Sequence, residues 1–541
     1  MNEAVLAVAA LSALASMIAG IRFLRVAQRE HYVPRSVSRF AVRWWASTAW
    51  NRSLFGLALL GVALSAFPAF SLAGLACCAV IALGPLGLSL RGRSSKLNWT
   101  RRLVFVCAVW SLLQLGLLAL AVFISSSALA SFFALAVPMI IDVALAATAP
   151  GEKRLAKRFV RTAATRLAEV KPVVVAITGS YGKTTTKGYV AHLLGSTRSV
   201  LASPASFNNR AGLARAVNEN LSPDIEVFVA EMGTFARGEI AELCSWIVPD
   251  IAVITSIGPV HLERFHSEDH ILEAKAEITV QARTLVLNVD DTRLAHLADT
   301  LVRKEKTVIR CSTSINSSSG GTGPVADIVV AKGSDEKLAI IANGSQIASI
   351  DASLGAAANI ACAVAVAHRL GVPPDEIARL LPTMPLAPHR LGILKGAQGA
   401  SILDDTYNSN PAGARMALDA LQRTARQVVT EAANTGSATQ DQRIVLVTPG
   451  MVELGNRQHA ENTALARNAC SIVTDFLIVG RTNRKALLEG TQLALEDRPG
   501  IAASLNIELM PTREAATEWC RAHLRPGDVV LFENDLPDHY P

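Results

Sequence analysis

Val173-Val174-Val175-Ala176-Ile177-Thr178-Gly179-Ser180-Tyr181-Gly182-Lys183-Thr184-Thr185-Thr186-Lys187-Gly188 begins as a β-branched run and passes through two glycines into a lysine- and threonine-rich stretch. The run reads as a buried strand, the glycines as a loop and the remainder as the start of a helix, which is the order that phosphate binding requires. Gly179 and Gly182 let the backbone turn its N–H groups toward a phosphate. The helix adds its positive N-terminal end and Lys183 a full charge. Thr184 is placed to ligate Mg²⁺, with Ser180 and Thr185 in the same cradle. The spacing Gly179-x-x-Gly182-Lys183-Thr184 is two residues shorter than the common G-x-x-x-x-G-K-[ST] loop, whose first glycine would fall at Ile177. That shortening points away from ordinary ATPases and GTPases.

Apolar strands and helical stretches alternate on either side of this loop. Val173–Thr178, Glu226–Glu231, Ile251–Ser256 and Thr284–Asn288 read as strands of a parallel, doubly wound sheet. A second alternation follows about residue 390, with strands near Ser401–Asp404, Arg443–Thr448, Phe476–Val479 and Val529–Phe532, and it predicts a second, Rossmann-like α/β domain. Ser312–Gly323 reads as a loop and Thr430–Asp441 as a flexible polar insertion.

At 541 residues the chain has room for roughly three domains. Apolar residues make up 50% of it and charged ones 18%, and the apolar excess lies before residue 150. Five apolar stretches, at 4–24, 53–70, 72–90, 103–124 and 127–148, are each about 18–22 residues long, enough to cross a bilayer as helices. Arg22, Arg25, Arg29, Arg35, Arg39, Arg43 and Arg52 follow the first stretch. Arg91, Arg93, Lys96, Arg101 and Arg102 follow the third, and Lys153, Arg154, Lys157, Arg158, Arg161 and Arg166 the fifth. The connections near Phe67–Ser71 and Ser125–Ser131 carry no charge. Positive charge on the inner side then predicts a multi-pass plasma-membrane protein with its N-terminus outside and everything after residue 150 in the cytoplasm. The net charge of +7 is mostly these flanking cations, which suit an anionic bilayer surface and argue against a nucleic-acid partner. Residues 151–170 read as a basic amphipathic helix that could lie on that surface. The eight cysteines show no metal-binding spacing and read as packing residues.

If residues 178–184 hold a triphosphate, the ends of neighbouring strands should supply metal ligands. Glu231 closes the strand Val227–Ala230, and His261 follows Ile251–Ser256. Ser206-Phe207-Asn208-Asn209-Arg210-Ala211-Gly212, then Glu231, then His261-Leu262-Glu263-Arg264-Phe265, then Glu273-Ala274-Lys275-Ala276-Glu277-Ile278 follow in order. With the short phosphate loop, this series resembles the central domain of the Mur ligases, most of all the branch that adds D-alanyl-D-alanine. The resemblance extends to residue 541 through Pro388-His389-Arg390, Ile402-Leu403-Asp404-Asp405-Thr406-Tyr407-Asn408-Ser409-Asn410-Pro411 and Gly450-Met451-Val452-Glu453-Leu454-Gly455. It implies domains at 1–150 (membrane, about five helices), 151–388 (ATP-binding) and 389–541 (C-terminal). It also implies ATP and Mg²⁺, with the metal on Thr184, Glu231, His261 and a carbamylated Lys275, and catalysis by Lys183, Glu231, His261 and Lys275. Asn209, Asn359 and Arg390 would contact the nucleotide, Asp405 its ribose, and Asn408 and Asn410 the amine.

The family's adenine-side Gly-x-His-Asn-x-x-Asn appears here as Gly355-Ala356-Ala357-Ala358-Asn359-Ile360-Ala361-Cys362, so only one asparagine is retained. The family's soluble UDP-sugar-gripping domain has a counterpart here in apolar stretches. The resemblance thus implies a membrane-anchored ligase. It would activate a carboxylate, on a lipid-linked or envelope-polymer acceptor, as an acyl phosphate and join it to an amino acid, dipeptide or other amine. A polymerising ligase of the poly-γ-glutamate synthase type, an ATP-driven export component and a weakened scaffold stay open as alternatives. Oligomeric state is not legible.

Overall fold

The computed structural model describes residues 3–90, 92, 97–204, 207–260, 262–314, 326–333, 337–351, 356–385, 392–396, 399–406, 410–434, 442–500, 504–536 and 540. The chain divides into two compact units, residues 1–155 with 536–541, and residues 156–535.

The first unit is helical. Glu3–Arg29 and Arg101–Phe123 are long and apolar enough to cross a membrane, and a third span results if Ser127–Leu135 and Val137–Val170, bent by 67°, count as one. The second and third apolar stretches form shorter helices, Ala49–Leu64 and Pro68–Leu83. Five expected spans therefore become two or three helices of spanning length. Proline explains the shortening: Pro68 opens a 3₁₀ turn, and Leu83 ends its helix at Gly84-Pro85. Ser36–Ala46 is an additional short helix, with Phe40 and Trp44 buried.

Polar side chains inside this unit tie its helices together. Arg22 is buried, and its Nη2 donates to Ala82 O at 2.9 Å while Nη1 reaches Gly84 O, closing the last carbonyls of Gly74–Leu83. Asp142 accepts from Val37 N at 3.3 Å and Ser38 N at 2.8 Å, placing a carboxylate at the N-terminus of Ser36–Ala46. Gln114 Nε2 donates to Ser16 Oγ at 2.9 Å and Phe133 O at 3.0 Å.

The second unit holds two sheets. The larger contains β1 (Val173–Thr178), β2 (Val200–Ala202), β3 (Val227–Glu231), β4 (Ile251–Ile254), β5 (Thr284–Asn288), β6 (Thr307–Ser312), β7 (Ile328–Lys332), β8 (Lys337–Ala342) and β9 (Ser345–Asp351), in the order β2-β3-β1-β4-β5-β6-β7-β8-β9. Pairing is parallel as far as β7, and β8 and β9 close the edge as antiparallel strands. The expected doubly wound sheet is thus present with a mixed edge. The chain reverses its direction of travel across the sheet beside β1, which puts the phosphate loop at the switch point.

The smaller sheet contains β10 (Gly392–Lys395), β11 (Ser401–Asp405), β12 (Ile444–Thr448), β13 (Asp475–Val479), β14 (Asn506–Met510) and β15 (Val529–Glu533), in the order β10-β11-β15-β12-β13-β14 with only β10 antiparallel. Two expectations change. The basic stretch 151–170 continues helix Val137–Val170, and Ala163 and Leu167 pack in the core with Leu213, Val217 and Leu221, while Arg166 Nε donates to Leu221 O at 2.6 Å. Ala163 and Leu167 are therefore covered by protein, while Leu155 and Phe159 stay exposed. Thr430–Asn434 completes helix Pro411–Asn434, and residues 435–441 lie outside the described residues, as do residues 315–323 of the expected Ser312–Gly323 loop.

Candidate functional site

The phosphate loop follows β1 as its sequence requires. Gly179 has φ 153° and Gly182 φ 80°, and a Cβ would lie 2.0 Å from Thr255 Oγ1 at the first and 2.1 Å from Asn359 Oδ1 at the second. Only glycine fits either place. Helix Lys183–Leu194 starts directly afterwards, so its first N–H groups, which have no partners within the helix, lie at the loop. Asn359, the residue retained from the adenine-side motif, is thereby set against the loop. Cys362, at the motif's second asparagine position, is fully buried in the core together with Cys311. That position packs the sheet in this chain.

Glu231 gathers the polar groups of the site. It is 2% exposed. Its Oε2 accepts from Thr184 Oγ1 and from Lys187 Nζ, both at 3.0 Å, and its Oε1 accepts from Asn208 Nδ2 at 3.3 Å. Thr184 and Lys187 share a helix face three residues apart. Lys187 was not singled out from sequence, although this spacing was legible. Lys183 Nζ donates to Gly179 O at 2.7 Å and Ser180 O at 3.4 Å, curling over the loop.

Lys275, on helix Glu268–Ala276, is buried. Burial and then the nearby charge of Lys183 hold its amine well below the ordinary lysine range, which favours the neutral, nucleophilic form. Thr184 and Glu231 thus meet at the carboxyl ends of β1 and β3 beside Lys183, and Lys275 lies near enough to feel the Lys183 charge. Ser180 faces Gly258 instead, donating to its O at 3.1 Å and accepting from its N at 2.9 Å, and Thr185 is half-buried in the first helical turn. Asn209 caps helix Arg210–Asn220 by accepting from Gly212 N at 3.0 Å. Its side chain fixes a helix start. His261, Arg390 and Asn408 lie outside the described residues.

In the smaller sheet Asp405 ends β11 directly opposite Glu533 at the end of β15. Glu533 is fully buried and accepts from Thr448 Oγ1. Burial pushes its carboxyl up to about 8, and Asp405 acts in the same direction. Asn410 accepts from Gly413 N at 2.8 Å and so caps helix Pro411–Asn434. Glu533, Asn462, Asn483 and Asn534 were not expected from sequence. The three asparagines hold the backbone of Pro449–Met451, and no short motif marks them.

The donors present suit a hard cation in part. Glu231 and Thr184 offer oxygens to one point, and Lys275 would need conversion to a carboxylate to join them. Among the described residues no cluster of three His, Cys, Asp or Glu side chains forms a metal site.

Comparison with known proteins gives the following. The family described as Mur ligase middle domain matches residues 177–367, and that described as Mur ligase, glutamate ligase domain matches residues 389–533. The UDP-N-acetylmuramoyl-tripeptide–D-alanyl-D-alanine ligase of Mycobacterium leprae is 32% identical over 382 residues, covering 66% of this chain and 70% of the relative. The enzyme of that name from Mycobacterium tuberculosis strain H37Rv is 31% identical over 380 residues, with the same shares covered. Among solved structures, MurF from Acinetobacter baumannii aligns with TM-score 0.55 and 23% identity, covering 70% of this chain and 77% of that one. MurF from Thermotoga maritima in complex with ADP aligns with TM-score 0.53 and 24% identity, covering 70% and 80%. These structural likenesses establish a shared fold.

Proposed function

From the premise that this chain belongs to the Mur ligase family of ATP-dependent, ADP-forming ligases, we propose that it is a membrane-anchored member. It joins a carboxylate on a lipid-linked or envelope-polymer precursor to an amino acid or dipeptide. The observation that carries the chemistry is the meeting of Thr184 and Glu231 beside Lys183, with a buried Lys275 within reach of the Lys183 charge.

The acceptor carboxylate is already ionised at neutral pH and needs no base. One of its oxygens attacks the γ-phosphorus, the bond to the β-phosphate oxygen breaks, and ADP leaves an acyl phosphate. The amine nitrogen then attacks the acyl carbon, the bond to phosphate breaks, and the nitrogen gives up a proton. The helix N-terminus at Gly182–Thr184 and the Lys183 ammonium neutralise charge on the transferred phosphoryl group. Mg²⁺ held by Thr184, Glu231, His261 and a carbamate on Lys275 would supply further Lewis-acid charge there. The downward pull of burial on the Lys275 amine supports this modification, because only an unprotonated amine adds to carbon dioxide. Asn359 against Gly182 and Asp405 at the end of β11 are the groups proposed for the nucleoside.

The membrane reading rests on the two or three helices of spanning length, in a helical unit that precedes the first matched family domain. A second reading takes its substrates from the relatives' name, a UDP-linked muramoyl-tripeptide and D-alanyl-D-alanine. One experiment separates them. The purified chain in lipid vesicles, given ATP, Mg²⁺, bicarbonate and D-alanyl-D-alanine, is assayed for ADP release with either a lipid extract or UDP-muramoyl-tripeptide. Release that needs the lipid extract and is lost in Lys275→Ala supports the proposal. Release with the soluble nucleotide substrate alone gives the second reading, and release needing neither acceptor nor amine defeats both.

A further inference from the structure

The two sheets of the second unit meet at a polar seam that the chemistry above does not use. Pro449–Arg457 follows β12, and its root is rigidly held. Thr448 Oγ1 accepts from Gly450 N at 2.8 Å, Asn534 Nδ2 donates to Gly450 O at 2.7 Å, and Asn462 Oδ1 accepts from Met451 N at 2.7 Å. Its outer part reaches the larger sheet's domain. Glu453, at φ 64°, accepts from Leu262 N through its carbonyl at 3.0 Å, and Arg457 Nη1 donates to Glu268 Oε1 at 2.7 Å. Arg293 holds the other Glu268 oxygen and is itself fixed on Asp291 by contacts of 3.0 and 2.9 Å. Leu262 and Glu268 stand in the segment that runs from His261 to Lys275. Tyr181, inside the phosphate loop, feels the charges of Glu268, Glu461, Arg457 and Arg415, so the seam lies beside that loop.

We propose that Arg457 and Glu268 are positioning residues for the ligase reaction, registering the C-terminal domain and its Asp405 edge against the segment that carries Lys275. This rests on the two-domain ligase reading. A lone exposed ion pair contributes little, because ordering two long side chains offsets the attraction. Here Arg293 already holds Glu268 and Glu461 already holds Arg457, so their pairing orders little further chain, and the bond from Leu262 N to the Glu453 carbonyl adds a second anchor four residues from Arg457 and six from Glu268.

The test is a cycle of Arg457→Gln, Glu268→Gln and the double variant, with Arg457→Lys, each in the full-length chain in vesicles. Amide hydrogen exchange is read in 262–276 and 450–457, alongside ADP affinity and amine-dependent ADP release. Arg457→Gln should raise exchange in 262–276 about fivefold, the scale of one well-formed pair. It should lower amine-dependent turnover similarly and leave ADP affinity within about twofold. Because Glu268 also holds Arg293 and Arg457 also holds Glu461, each substitution keeps an effect of its own, but the double variant should fall clearly short of the sum of the two single losses, and Arg457→Lys should recover part of the loss. Additive effects of the two substitutions, or unchanged exchange in 262–276, would overturn the proposal. The exchange measurement needs no substrate, so a wild-type chain that releases no ADP with acceptor and amine defeats the ligase reading separately.

Discussion

At the residue scale two buried ionisable groups tie stability to function. Burial, and then the charge of Lys183, hold the Lys275 amine well below its ordinary value of 10.5 in the folded chain, so between the two values the unfolded state binds more protons and burial of the amine destabilises the fold. Stability therefore rises with pH from the depressed value up to about 10.5. Lys275→Met, measured by thermal unfolding without bicarbonate or Mg²⁺, should raise Tm by several degrees near pH 7, with the gain shrinking toward pH 10.5, and should abolish ligation. Glu533 behaves in the opposite sense. Its carboxyl is raised from 4.5 to about 8, so the folded state binds more protons between those values and stability falls as pH rises through that window. Glu533→Gln should flatten that slope in denaturant titrations between pH 5 and 9, and an unchanged slope would refute the assignment. Lys183, Thr184 and Glu231 were legible because spacing and strand ends mark them. Glu533 was not, since its character comes from burial between β11 and β12.

At the element scale, strand, loop and helix around Gly179–Lys183 were readable because each local choice agrees with the fold. β2, β6, β7, β8, β9, β10 and β14 were not singled out. Of these, β2, β9, β10 and β14 are sheet edges, where a short mixed pattern resembles a loop. Asn209 shows how a motif can serve structure as well as ligand. Its side chain caps helix Arg210–Asn220, so Asn209→Ala should cost about 1 kcal/mol in chemical denaturation. Asn209→Ser keeps a capping oxygen and should restore that stability. If Asn209→Ser also keeps ATP affinity in calorimetry, the residue acts through the cap. If affinity falls with stability intact, the nucleotide contact implied by the family resemblance is real.

At the scale of the whole molecule, the helical first unit sets this chain apart from the matched family domains. If Glu3–Arg29 and Arg101–Phe123 span a bilayer, the chain should stay with membranes through alkaline carbonate washing, and its appearance in the soluble fraction would reject the anchor. Arg22→Ala should leave the last carbonyls of Gly74–Leu83 without their donor and lower the detergent-solubilised Tm, while Arg22→Lys recovers part of it. The sequence by itself determined the phosphate loop, the two α/β domains and the apolar N-terminal third, because backbone freedom, strand periodicity and hydropathy are local properties of the chain. Tertiary structure alone decided that five apolar stretches yield two or three helices of spanning length and that residues 151–170 start a protein core. It also decided that the Lys275 amine is buried and held below its ordinary range and that Arg457 meets Glu268, because burial and pairing depend on residues far apart in sequence.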